Sequence, residues 1–258
     1  MKKKIIYTLL LLFLFNFKYS KLYSSEQKCI SSNGVPNHEI GDFPTKGNPN
    51  KFIERNLKFC FTKNPKKSNT NKYLAATVGV TLTGIPIRPG TAAWYDKNSP
   101  KKHSQDKSSG LNLEAIRPFE KILGIDKYNG HLDFRGLYHY HKPNTALLLN
   151  DQNLIGYAAD GFEIFYIPGK FKSSWQLKKG NRTLEPYGIY DGSFKEDYEF
   201  VKASGDLDEC NGKVFKGTYR YFATDKFPYF PRCHWGCLLY TSDAADDSLR
   251  VDLGGRRI

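Results

Sequence analysis

LIGYAADGFEIFYI, residues 154–167, decides the fold class. Two apolar runs, Leu154–Ala158 and Phe162–Ile167, flank Ala159-Asp160-Gly161. Asp-Gly between runs of strand length signals a hairpin, because glycine takes the positive φ that such turns need. A second Asp-Gly, Asp191-Gly192, lies between Gly188-Ile189-Tyr190 and Ser193-Phe194, and GTYRYFA (217–223) predicts a further strand. Tyr128 to Trp235 holds 23 of the 38 aromatic residues, which fit a pleated, half-buried surface. The expected class is therefore mainly β: a sandwich-like or α+β core of short antiparallel strands and hairpins, with one or two short helices and long loops. The helix signal is Pro118 at a first helical position, Phe119, Ile122 and Leu123 at helical spacing, and Gly124 at the cap. LAATVGVTL (74–82) reads as a strand leading into Gly84-Ile85-Pro86-Ile87, where proline marks an edge or turn.

Outside this region the ends differ from the middle. Lys2, Lys3 and Lys4 precede the apolar run Ile5–Phe15, which is half the roughly 20 residues a membrane span needs, so residues 1–25 are expected to be a secretory signal. CLLYTSDAADD (237–247) resembles translated sequencing-adapter sequence, and residues 237–258 are expected to be a non-native tail that packs against nothing. Residues 26–72 then form an N-terminal arm and loop, and 73–236 the β-rich domain. Residues 26–236 carry 31 basic and 22 acidic side chains, but the lysines are scattered apart from KNPKKSNTNK (63–72), read as a solvated loop. No nucleic-acid partner is expected on that distribution. With 40% hydrophobic and 25% charged residues the chain is not disordered, and past the leader no integral membrane segment is expected.

Four cysteines remain once the tail is set aside: Cys29, Cys60, Cys210 and Cys233, with no C-x-x-C spacing. Disulfides in an oxidising, secreted or periplasmic compartment are favoured over a zinc knuckle. Of three possible pairings the local one, Cys29 with Cys60 and Cys210 with Cys233, is preferred, each loop contributing roughly 3 kcal/mol in the loop-entropy account.

The chemistry concentrates in NGHLDFRGLYHYH (129–141). On a strand, His139 and His141 share one face while Tyr138 and Tyr140 share the other. A turn at Gly136 would bring His131 to the histidine face. Three imidazoles converging from a rigid sheet suit zinc, copper or iron and leave a coordination position open. The alternative is that the histidines hydrogen-bond within a half-buried sheet. If the tyrosines take the buried face, the histidines are expected in an open, partly exposed site. Asp160, at its hairpin tip, is a candidate ligand or general base beside them, although turn geometry alone also explains the Asp-Gly pair. No G-x-S-x-G, P-loop, H-E-x-x-H or G-x-G-x-x-G occurs, so nucleophile-led hydrolysis and nucleotide chemistry lack support.

Tyr138-His139-Tyr140-His141 resembles the motif that names the YHYH domain family. Asn33-Gly34-Val35-Pro36-Asn37-His38, Gly156–Phe162, Tyr190–Glu199, Gly205–Gly212 and Phe227–Cys233 are similar to that family too, so the resemblance runs from about Ser31 to Cys233. It implies an exported protein and no particular reaction. Asp206-Leu207-Asp208-Glu209-Cys210-Asn211 also resembles the start of a calcium-binding EGF-type module, but such a module needs six closely spaced cysteines and this region has two. What remains is a lone Ca²⁺ site from Asp206, Asp208, Glu209 and Asn211, or a loop whose carboxylates cap backbone amides. Two functions stand: an exported binder of a divalent transition metal through His131, His139 and His141, with enzymatic activity left open, or a non-enzymatic binding or surface-interaction module in which the motif is structural.

Overall fold

The computed structural model describes residues 26–73, 77–117, 123–149 and 151–238. Short strands follow one another in chain order: β1 (Gln27–Ser32), β2 (Leu57–Thr62), β3 (Lys67–Tyr73), β4 (Gly79–Thr81), β5 (Pro86–Ile87), β6 (Trp94–Tyr95), β7 (His103–Ser104), β8 (Gly130–Leu132), β9 (Tyr138–Tyr140), β10 (Leu154–Ala158), β11 (Glu163–Tyr166), β12 (Trp175–Leu177), β13 (Asn181–Arg182), β14 (Gly188–Ile189), β15 (Tyr198–Phe200), β16 (Gly212–Phe215), β17 (Thr218–Ala223) and β18 (Cys233–Gly236). The protein is mainly β, and the helical turns described are single 3-10 turns at Thr145–Leu147 and Lys195–Asp197. Of the helix expected over 118–124, residues 118–122 lie outside the described residues, as do the expected leader, residues 1–25, and residues 239–258 of the expected tail.

The Asp160-Gly161 hairpin forms as its sequence requires. β10 and β11 pair antiparallel, the Phe162 carbonyl accepts from the Ala158 amide, and Gly161 has φ +91°. Around this hairpin an eight-stranded sheet is built in the order β16-β17-β11-β10-β4-β5-β9-β8. It is mixed, since β11 runs parallel to β17 and β5 parallel to β9. Its core holds Ile85, Ile87, Tyr138, Tyr140, Ile155, Ile164 and Tyr221, all at 0% exposure. A second cluster joins Leu57 and Phe59 of β2 to Val80 and Leu137. No helix among the described residues is long and apolar enough to cross a membrane.

Three local expectations are corrected. Asp191-Gly192 is not the turn of a hairpin, because β14 pairs with β13 instead. The Asp191 carboxylate accepts from the Arg182 guanidinium and the Ser193 amide, and Gly192 donates to Asp197, so an ion-pair network shapes this loop. Pro86 stands where its sequence marks a strand edge or turn, as the first residue of β5 just after the turn that the Gly84 amide closes on the Thr81 carbonyl, where a residue can lack its amide hydrogen although β5 itself lies between β4 and β9. Residues 67–72, part of the expected solvated loop, belong instead to strand β3 against β18. Backbone pairing, which the polar sequence could not advertise, orders that segment. The pairing continues into Cys237, whose amide donates to the Lys66 carbonyl, so the first residue of the expected tail is not free of contacts.

Both local disulfides are present. Cys29 and Cys60 face each other across β1 and β2, and Cys210 and Cys233 join the start of β16 to β18 with Cα atoms 5.0 Å apart.

Candidate metal centre

The β8–β9 hairpin carries the site. Its register sets His131 directly opposite His139, with Gly130 opposite Tyr140 and Leu132 opposite Tyr138. The connection is tight because Asp133 organises it: its backbone amide donates to the Leu137 carbonyl, and its Oδ1 accepts from the amides of Arg135 and Leu137. Gly136 sits at φ +78°, where a Cβ would lie 2.4 Å from the Lys51 carbonyl oxygen, so glycine is required there. His141, two residues past His139, shares its face.

The three imidazoles meet at their Nε2 atoms. His139 Nε2 lies 3.1 Å from His141 Nε2, which is 3.1 Å from His131 Nε2. The far nitrogen of His131 donates to the Leu123 carbonyl at 2.6 Å, and that of His139 contacts the Leu137 carbonyl at 3.3 Å. Since a carbonyl only accepts, these bonds put the protons on Nδ1 and leave the Nε2 lone pairs turned inward. His141 Nδ1 is buried close to the Pro89 carbonyl without making a hydrogen bond of good geometry.

Burial holds all three in the neutral form that binds metals. It lowers the pKa of His131 and puts His139 and His141 well below the ordinary histidine value, with the neighbouring imidazole of His131 and the Arg88 guanidinium adding to the depression of both. Arg88 is itself fixed, Nε to Thr77 Oγ1 at 2.9 Å and Nη1 to Asp133 Oδ2 at 2.7 Å.

The exposure expected of the site is corrected. His139 and His141 are 4% and 2% exposed, and only His131 is part-exposed. The histidines line a cleft of about 570 Å³ whose walls include Asn48, Asn50, Arg88, Thr91, His103 and Phe134. The loops before β2 and after β5 therefore cover the histidine face, which strand alternation alone would leave open.

Behind the strand, Tyr138 and Tyr140 take the opposite face and are buried, as alternation requires. Their hydroxyls are not idle. Tyr138 donates to Asp126 Oδ2 at 2.8 Å, and the Tyr140 hydroxyl lies 2.6 Å from His38 Nε2. Because His38 Nδ1 donates to the Glu39 carbonyl, Nε2 accepts the tyrosine proton. Burial pushes both tyrosine pKa values far up, so both remain hydroxyls. Sequence reasoning did not single out Asp126, Arg88 or the role of His38; the last stands in the Asn33–His38 motif, and the others carry no signal of their own.

Two expected site groups lie elsewhere. Asp160 is not beside the histidines. It is fully buried, and its carboxylate accepts from the Tyr221 hydroxyl and from the amides of Gly236 and Phe162, which ties the β10–β11 hairpin to β17 and β18. The acidic loop does not form a cation cage either. Asp208 caps the amides of Cys210 and Gly212 and accepts from Tyr219, Asp206 caps Lys172, and the Asn211 side chain donates to the Phe222 carbonyl. Asp206 and Asp208 thus spend carboxylate oxygens on backbone amides, Asn211 Oδ1 is buried without a partner, and Asp206, Asp208 and Glu209 are not gathered as a ligand group among the described residues. His131, His139 and His141 are the group among the described residues whose donor atoms all lie within 4.8 Å of one another, and they are compatible with metal binding.

Fold and site together define a disulfide-braced β domain with a trihistidine cleft at a His-x-His strand. A family model described as YHYH protein matches residues 58–236, more than half of the chain, and the chain belongs to that family. No curated protein and no solved structure matches it.

Proposed function

We propose that this is an extracytoplasmic protein that holds one divalent transition metal through Nε2 of His131, His139 and His141. The observation that carries the reading is the pair of 3.1 Å contacts between Nε2 atoms. A proton on His141 Nε2 would bridge one of them and leave the other as facing lone pairs, whereas a cation satisfies both. Ligands about 2.0 to 2.1 Å from a tetrahedral ion lie roughly 3.3 Å apart, close to the spacing here. Binding through Nε2 also moves the His141 proton to Nδ1, beside the Pro89 carbonyl. An all-imidazole set suits Zn²⁺, Cu²⁺ or Fe²⁺ better than Ca²⁺, which prefers oxygen. Such an ion, when bound, would act as a Lewis acid toward whatever enters the cleft. The chain's own part is to keep three imidazoles neutral, aligned and shielded from bulk water.

Export is supported by the two disulfides, which persist in oxidising compartments. The interaction-module reading draws on Leu184, Tyr187 and Ile189, which are 50%, 74% and 68% exposed around the β13–β14 hairpin. Metal content decides between the two. Full-length protein loaded with Zn²⁺ and dialysed should retain it, and His139→Ala or His141→Ala should lose it, with affinity down by about a hundredfold or more, beyond what outer-shell changes cause. Wild-type protein that takes up none of Zn²⁺, Cu²⁺ or Fe²⁺ at micromolar concentration would leave the interaction module.

A further inference from the structure

We propose that the cleft above the histidines takes a small organic oxyanion, a carboxylate or a phosphate ester, whose charged end completes the coordination of the bound ion and whose apolar body lies along Phe134. This deepens the metal reading and rests on it.

The charge inventory of the cleft makes the argument. All three ligands are neutral, so a divalent ion would keep its full charge. Asp133 is the one carboxylate among the described lining residues, and both of its oxygens are engaged: Oδ2 with Arg88, and Oδ1 with the amides of Arg135 and Leu137. Arg88 and Arg135 also line the cleft, so with the ion in place the lining is strongly positive. His139 and His141 are buried at its floor, where water screens charge poorly. An excess of positive charge in such a place is stabilised by an anion and repels a cation. Arg88 lines the same cleft as the three histidines and is held in place by Thr77 and Asp133, so an anion on the ion would also feel its guanidinium.

The body of the ligand follows from the rim. Phe134, at the tip of the β8–β9 connection, is 80% exposed and lines the same cleft, with the Arg135 guanidinium 5.1 Å from its ring centroid. A benzyl side chain left in water beside a cation at the mouth of a charged cleft offers an apolar surface for a ligand to cover. About 570 Å³ lies within the usual range of small-molecule sites, and is far more than acetate or inorganic phosphate would fill.

The test uses full-length protein loaded with Co²⁺, whose visible bands report changes of ligand. Benzoate and phenyl phosphate are titrated as probes, acetate as a probe without an apolar body, and benzyl alcohol and benzylamine as neutral and cationic controls. Benzoate, phenyl phosphate or both should shift the bands saturably while the controls do not, and the stronger of the two names the source of the oxyanion. Arg88→Gln should weaken that probe about tenfold, the equivalent of 1.4 kcal/mol. Since Arg88 also supports Asp133, Phe134→Ala on the exposed rim provides a second variant: it should weaken benzoate severalfold and leave acetate unchanged. Co²⁺ uptake without an anion response, or an equal response to benzyl alcohol, overturns the oxyanion and leaves the metal site standing. Should Co²⁺ not load, the same titrations are read on the visible bands of Cu²⁺, with the same outcomes, and absence of uptake of Co²⁺, Zn²⁺, Cu²⁺ and Fe²⁺ alike overturns both.

Discussion

Burial keeps the His131, His139 and His141 imidazoles neutral, and that has a measurable consequence at the scale of single residues. Their pKa values in the folded chain lie below the unfolded value of about 6.5, so below that pH the unfolded chain binds protons that the folded chain does not. Stability is therefore complete above about pH 6.5 and falls as the pH drops below it toward the folded values, by up to about 1.4 kcal/mol per pH unit for each histidine. Urea midpoints of the metal-free protein at pH 7.5, 6.0 and 5.0 should decline in that order, and His139→Gln should flatten the slope. A second expectation concerns the back of the strand. Tyr138→Phe removes the proton that Asp126 Oδ2 accepts and should cost about 1–2 kcal/mol, with little change in metal content. The histidines and tyrosines were legible as two faces because a strand alternates with period two. Asp126 and Arg88 were not, because their roles arise from contacts across the sheet that no local pattern encodes.

At the scale of the element, the β8–β9 hairpin is the unit that makes the site. It sets His131 opposite His139 only if the Asp133–Gly136 turn closes in this register, since a slip of one residue would move every side chain to the other face. Gly136→Ala would place a Cβ 2.4 Å from the Lys51 carbonyl oxygen at a positive φ, and a backbone atom cannot yield as a flexible side chain does. We expect a loss of about 2 kcal/mol or more, together with weaker Zn²⁺ retention, read by thermal melts with and without the metal. Asp160-Gly161 announced its hairpin correctly because apolar strands flank it closely on both sides. Asp191-Gly192 misled because Arg182 and Asp197 hold the same dipeptide in a buried ion-pair network, with Arg182 Nε 2.7 Å from Asp197 Oδ1. The charges that shape that loop lie up to nine residues from it in sequence. Polar strand β3 was hidden for a different reason, as backbone pairing with β18 orders it while the side chains of Lys67, Asn69 and Thr70 are exposed.

At the scale of the whole molecule, two disulfides of similar loop size brace regions of different burial, and they separate two accounts of how a disulfide stabilises. The loops span 31 residues for Cys29–Cys60 and 23 for Cys210–Cys233. Loop entropy alone assigns them about 3.7 and about 3.4 kcal/mol, so the first should matter slightly more. Packing reverses the order. Cys210 and Cys233 are fully buried in the main core with Tyr219, Tyr221 and Phe230, and they tie β16 and β18 around the β10–β11 hairpin. Cys29 is exposed on β1, whose side chains face mostly solvent, and Cys60 is half-buried. Replacing the buried pair by alanine removes two sulfurs from a packed interior and adds a cavity cost to the entropic one, while the exposed pair adds none. The double variant Cys210→Ala, Cys233→Ala should therefore unfold at a lower urea concentration than Cys29→Ala, Cys60→Ala, by the equivalent of about 1 kcal/mol or more. Equal midpoints, or the reverse order, would show that chain entropy outweighs core packing in this protein.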